Sequence, residues 1–280
     1  MVKINRPDGV MWSKSAPAMQ AVGGTPRVRD LRPADIDIHF QPIVELSTGK
    51  LFAQEALVRC RHDAFRYPPD LLAAAEQEYC CGRLGRLIRD VAFARNTDVN
   101  MFINIHPNEL NERWLVRPDD PIGFHGAGVF IEITEVAAFS RPTLSVDVLK
   151  DICSRVGARM VVDDLGAGHS DIFRVLDLEP DVVKLDRDMI VGLDKDREKR
   201  ERLNYFVDLC TELGSLVVCE GIETEGELRA IQDSGAPYGQ GYIFAKPAYP
   251  PTPHQWLPEW SGARDGIPQS VRPNRSKGGR

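Results

Sequence analysis

The order of strand-like and helix-like stretches constrains this chain most. Two β-rich runs, 38–45 and 51–59, are joined only by Ser47-Thr48-Gly49-Lys50. A link that short, containing glycine, predicts a hairpin and so an antiparallel pair. Helical patterns follow over 70–79 and 83–97. Strands are predicted at 100–105, 129–134, 159–163, 182–184, 216–219 and 238–243. Helices are predicted at 143–156, near 170–176, and at 197–213 and 225–234. Helices that separate strands argue for a parallel sheet. Eight strands in a segment of this length argue for closure. The expected fold is therefore α/β: a modified (β/α)8 barrel of the TIM type with an antiparallel first strand. No internal repeat is evident.

Charge divides the 280 residues into three parts. Residues 1–34 carry a net +4 and residues 258–280 a net +3, which leaves −13 on 35–257 in a chain of net charge −6. The expected organisation is a flexible N-terminal tail, a barrel domain over 35–257 and a basic, flexible C-terminal tail. Both tails read as solvated ends, with contact to an acidic partner or membrane surface as the sharper alternative. An acidic body is a poor match for duplex nucleic acid. No apolar run reaches the length of a membrane span, and the first residues lack the apolar core of a signal peptide. The six cysteines form no Cys-x-x-Cys pair, so they are expected as reduced, mostly buried thiols in a cytoplasmic protein.

In a barrel of this kind, chemistry gathers at the C-terminal ends of the strands. The polar residues near those ends are Glu55, Asn104, Glu132, Asp163-Asp164, Lys184, Glu220 and Gln240. Strand parity turns Glu132 inward with Phe130 and Thr134, and groups Glu55 with Leu57 and Arg59. Glu55 and Arg59 are thus expected at the same mouth, with Glu135 on the opposite parity from Glu132. Asp163 and Asp164 have opposite parity too, but a turn at Gly166 would let both reach the mouth. Each residue alone has a plain explanation: a turn, a cap or an ion pair. Together, four or five convergent carboxylates require cations. Oxygen ligands without histidine or cysteine favour Mg2+ or Mn2+. A carboxylate bridging two ions suits in-line phosphoryl chemistry.

These residues stand in motifs that resemble those of the EAL-domain cyclic di-GMP phosphodiesterases. The motifs are Glu55-Ala56-Leu57 within Gln54–Arg59, preceded by Phe40-Gln41-Pro42-Ile43-Val44, then Phe102-Ile103-Asn104-Ile105 and Ile131-Glu132-Ile133-Thr134-Glu135. Further along stand Asp163-Asp164-Leu165-Gly166-Ala167-Gly168, Lys184-Leu185-Asp186, Glu220-Gly221-Ile222-Glu223 and Gly239-Gln240-Gly241-Tyr242. The resemblance covers about residues 36–248. It implies hydrolysis of cyclic di-GMP to linear pGpG by a cytoplasmic homodimer with two Mg2+ or Mn2+ ions. By analogy Glu55, Asn104, Glu132 and Asp163 hold the first ion, Asp163 bridges, and Asp164 with Glu220 serve the second. Lys184 holds the attacking water, and Glu220 is also a candidate proton acceptor. Gln41, Leu57 and Arg59 contact the nucleotide, and Gln240 completes the water, metal or substrate shell. Glu135 anchors the Asp-Asp loop, and Glu223 supports the site from behind.

The loop departs from the family's usual residues at Leu165, Ala167, His169 and Asp171. In the family that segment couples the metal site to dimerisation, so rate and regulation are affected more than chemistry. No cyclase motif of the Gly-Gly-Asp-Glu-Phe type is present. The N-terminal 34 residues are too few for a folded sensor, so a stand-alone or excised domain is expected. The alternatives are an inactive EAL domain acting as a cyclic di-GMP receptor or interaction module, and an enolase-type Mg2+ barrel. The full ligand set argues against the first, the hairpin start against the second.

Overall fold

Eight strands close on themselves in chain order. They are β1 (Ile36–Glu45), β2 (Leu51–Cys60), β3 (Met101–Asn104), β4 (Val129–Thr134), β5 (Arg159–Leu165), β6 (Val182–Leu185), β7 (Leu216–Cys219) and β8 (Tyr238–Gln240). The structure, a computed structural model, describes residues 26–111, 115, 117, 119–134, 144–166 and 179–260. Strand β1 runs antiparallel to both neighbours, β2 and β8, and the other six contacts are parallel. The four-residue link predicted the hairpin. The reversed first strand follows, because a link that short cannot carry the chain back to the starting end for a parallel partner.

Period two sets the interior. Ile43, Ala53, Phe102, Phe130, Val161, Val182 and Val218 form one apolar cluster inside the barrel, with Tyr238 packed against it. The rings of Phe102 and Phe130 stack at 4.3 Å. Two residues further along each parallel strand stands a polar group: Glu55, Asn104, Glu132, Asp163, Lys184, Glu220 and Gln240. On β1 the step runs backward, from Ile43 to Gln41, because that strand runs the other way. An apolar layer thus plugs the barrel, and the layer above it is polar on all eight staves.

Six helices are described: α1 (Pro68–Gln77), α2 (Cys81–Arg95), α3 (Leu144–Val156), α4 (Arg187–Ile190), α5 (Arg197–Glu212) and α6 (Glu225–Ser234). Helix α6 opens with a reciprocal capping box between Thr224 and Glu227 and closes on Gly235 at φ 83°. Two apolar clusters fill the space between barrel and helices. All six cysteines are buried free thiols. No helix among the described residues is long and apolar enough to cross a membrane.

The hairpin leaves no crossover helix between β1 and β2. The C-terminal segment covers part of that wall instead. Ala248 bridges Phe40, His254 contacts the Gly49 carbonyl at 2.7 Å, and Trp256 and Trp260 pack with Phe244 in the cluster that holds Val44 and Leu46. This moves one predicted boundary. Trp260 is buried and its carbonyl accepts from Gln232 Nε2 at 2.7 Å, so 258–260 are part of the body. The N-terminal boundary moves likewise. Val28 and Leu31 are buried, Glu78 accepts from the Val28 amide at 2.7 Å, and Arg83 reaches the Leu31 carbonyl. Single apolar anchors among prolines and arginines have no periodicity to mark them. Residues 1–25 and 261–280 and the helix expected near 170–176 lie outside the described residues.

One buried ionic cluster has no precedent in the sequence reading. Arg89 on α2 is fully buried and faces two carboxylates of the β3–β4 connection. Its Nη1 donates to Glu109 at 2.7 Å, and its Nε and Nη2 donate to Asp120 at 3.2 and 2.9 Å. The described part of that connection contains short 3-10 turns and no α-helix, so the guanidinium ties it to the helical layer.

Candidate active site

The polar layer converges on one ammonium. Lys184, 1% exposed, places Nζ 2.7 Å from Glu132, 2.5 Å from Glu220, 3.3 Å from Asp163 and 3.5 Å from Glu55. Asn104 Nδ2 donates to Glu55 at 3.0 Å and to Glu132 at 2.9 Å, linking carboxylates on its two neighbouring strands. Gln240 Nε2 donates to Glu55 at 2.7 Å and to Gln41 at 3.1 Å. Gln41 in turn donates to the Ala245 carbonyl. Glu55, Glu132, Asp163, Lys184 and Gln240 are buried, and Glu220 is partly exposed.

Asp163 and Asp164 both reach this cluster, for a different reason from the one expected. Between Val162 and Leu165 the β5 ladder takes one residue more than β6, forming a bulge. Asp164 sits there at φ 61°, a left-handed conformation that aspartate tolerates better than most residues. The bulge acts inside the strand, before the turn at Gly166. It brings oxygens of Asp163, Asp164 and Glu220 within 4.8 Å of one another.

Crowded acid shifts these groups apart. Burial pushes Glu132 well above the usual carboxylate range; Lys184 opposes this, while Glu55 and Asp163 add to it. Burial likewise pushes Glu220 up to about 8 against the pull of Lys184. Asp164 is raised by burial and by Asp163. Burial alone would raise Glu55, but Lys184, Gln240 and Asn104 outweigh it and hold that carboxyl low. Burial would lower Lys184, yet Asp163, Glu132, Glu220 and Glu55 raise it well above its ordinary value.

The donors fit hard divalent cations. They are carboxylate and amide oxygens at close quarters, five carboxylates against one ammonium. Gln240 Oε1 is also buried without a hydrogen-bond partner.

A cavity of about 330 Å³ opens above this layer, lined by Gln41, Glu55, Leu57, Lys184, Glu220 and Gln240, with Arg187, Glu223 and Tyr242 at its rim. A second cavity of about 530 Å³ adjoins it, mostly apolar, with Leu57 in both walls and Arg59, Leu72, Ile88, Asn104 and Thr134 among its lining. Glu55 and Arg59 therefore do not share one cavity as parity suggested. Strand β2 pairs with β3 only over Gln54–Ala56; beyond it the twisting hairpin carries Arg59 into the second cavity.

Glu223 stands away from the carboxylates and pairs with Arg187 at 2.9 Å. The stem of Arg187 lies over Gly221, where a Cβ would come within 2.4 Å of its Cγ, so the turn after Glu220 has room only for glycine. Arg187 and Tyr242, the latter within the Gly239–Tyr242 motif, lie beyond strand ends, where strand parity assigns no role. Arg187 follows Asp186, the N-cap of α4, and Tyr242 lies two residues past Gln240. Glu135, Ala167, His169 and Asp171 lie outside the described residues.

A closed eight-stranded barrel with acidic oxygens at its C-terminal mouth defines a class of candidate metal-assisted enzymes. A family model described as EAL domain matches residues 28–247. The chain belongs to the EAL domain family. It is 28% identical over 233 residues to the cyclic di-GMP phosphodiesterase RocR of Pseudomonas aeruginosa, covering 79% of this chain and 59% of RocR. It is 27% identical over 223 residues to the cyclic di-GMP phosphodiesterase PdeR of Escherichia coli, covering 75% and 33%. Among solved structures it is similar to the calcium and cyclic di-GMP complex of Klebsiella pneumoniae BlrP1, with a TM-score of 0.67 and 26% identity over 80% of this chain and 58% of that one. The chain spans less than two thirds of the length of each of these proteins.

Proposed function

We propose that this protein hydrolyses one phosphodiester bond of cyclic di-GMP, giving linear pGpG, with Mg2+ or Mn2+. The observation that carries the reading is the Lys184 ammonium within 3.5 Å of four carboxylates, beside an Asp163-Asp164-Glu220 oxygen cluster. The names of RocR and PdeR, and the ligands in the BlrP1 complex, support it.

Glu55, Asn104, Glu132 and Asp163 would hold one ion; Asp164 and Glu220 a second, with Asp163 shared. Bound divalent ions would lower the pKa of a water and offset phosphate charge. Lys184 stays protonated, so it serves as donor and orienter for the attacking water, not as base. Glu220, 2.5 Å from the Lys184 ammonium, is also placed to take that water's proton once its own is displaced by bound cation. The water oxygen bonds to phosphorus, the P–O3′ bond breaks, and a proton passes to the departing 3′ oxygen. Gln41 and Gln240 face the substrate in the first cavity, Leu57 separates the two cavities, and Arg59 offers its charge to a phosphate oxygen from the second. Glu223 holds the turn that carries Glu220, through Arg187. The working form is a cytoplasmic homodimer, with barrel residues between basic ends.

Incubation of purified protein with cyclic di-GMP and either ion should yield pGpG, and Glu55→Ala should abolish it. Absence of turnover with both ions refutes hydrolysis, and calorimetric binding of the nucleotide without turnover leaves a receptor. Sedimentation at micromolar concentration tests the dimer.

A further inference from the structure

We infer that the buried Arg89–Glu109–Asp120 cluster is a positioning device for the end of β3, and through it for Asn104 as a divalent-ion ligand. The inference rests on the functional reading above. The chain of contacts is short. Glu109 uses one carboxylate oxygen to accept from Arg89 and the other to accept from the His106 amide at 3.0 Å. The Glu109 amide donates back to the His106 carbonyl at 2.8 Å, so residues 106–109 are closed from both sides. His106 lies two residues beyond Asn104, and Asn104 joins Glu55 to Glu132.

Helix α2 is brought close enough for this by a missing side chain. A Cβ on Gly85 would lie 1.9 Å from Glu109 Oε2. Asp120 fixes the far side of the guanidinium through Nε and Nη2, which leaves Nη1 aimed at Glu109. Glu109 and Asn104 also line the second cavity together, so a displaced Glu109 has space to move into.

Two variants test this. Glu109→Gln keeps shape but presents an amide to the guanidinium, so either Arg89 or the His106 amide loses its acceptor. Gly85→Ala changes no charge and pushes Glu109 aside. Val91→Ala, which opens a void at a buried position on the same helix, is the control for lost stability. Mn2+ affinity is measured by calorimetry on the whole chain without nucleotide, at a temperature where circular dichroism shows every variant folded. Glu109→Gln and Gly85→Ala should each bind Mn2+ about tenfold more weakly, the usual scale for groups that orient ligands. Val91→Ala should bind as wild type does while melting lower. Wild-type affinity in both test variants overturns the inference alone, and so does an equal loss in Val91→Ala. A wild-type protein that takes up no Mn2+ brings down the functional reading and the inference together.

Discussion

Arg89 and Lys184 are both fully buried cations surrounded by acid, yet their surroundings differ in kind. Arg89 meets two carboxylates, and its Nε, Nη1 and Nη2 each have an acceptor. Glu109 and Asp120 spend their other lone pairs on backbone amides. Little is left over. Lys184 faces four carboxylates within 3.5 Å, with Asp164 beside them, five acids to one cation. A buried charge cluster that closes on itself holds a fold together. One with surplus acid stores unfavourable energy that protons or an outside cation relieve. Counting charges against donors separates the two without reference to any relative.

The comparison can be broken in four ways, largest effect first. Lys184→Met should lower turnover by about 10³-fold, the scale for loss of one preorganised donor, read in the pGpG assay at saturating Mn2+. The fold should survive, because the freed carboxylates can take up protons. Arg89→Met should instead cost about 3 kcal/mol of unfolding free energy in urea, because it strands two buried carboxylates. An Arg89→Met protein as stable as wild type would remove the distinction.

Neutralising one acid should have opposite signs in the two places. In chelator, Glu132→Gln should raise stability by about 1 kcal/mol by relieving repulsion, whereas Glu109→Gln should lower it by about as much. The same sign in both would show that surplus charge is not what sets them apart. The smallest effect is a slope with pH. Glu220 holds its proton up to about 8 in the fold, against 4.5 ordinarily. Its contribution is therefore complete below 4.5 and is lost as pH rises through 8. Metal-free protein should lose stability across that window, Glu220→Gln should flatten the loss, and Mn2+ should reverse it. Urea titrations at three pH values measure this.

The contrast also marks how far the sequence could be read. Strand order and the polar layer were legible because alternation and strand ends are local patterns. Val129–Thr134 alone assigns Glu132 inward and three aliphatics outward. The bulge at Asp164 was not, since an extra residue in a ladder shows only against its partner strand. Separation of Arg59 from Glu55 depends on hairpin twist beyond the last residue that β3 pairs. Trp260 and Val28 escaped as lone apolar residues in proline-rich surroundings. Arg89 escaped for the converse reason: a charged residue inside an apolar helical stripe looks like a break in the pattern until its two acids, 20 and 31 residues away, are seen beside it.

The reversed first strand also gives the molecule two unlike poles. Ile36 pairs with Cys60, where β2 ends, so the backbone arrives from the side of the barrel on which the chemistry sits. The closing strap leads the other way, past the Gly49 turn to Trp260. In an ordinary eightfold barrel the chain would arrive at the floor. Here the first described apolar residues, Val28 and Leu31, instead pack against the α1–α2 layer beside the end of β2.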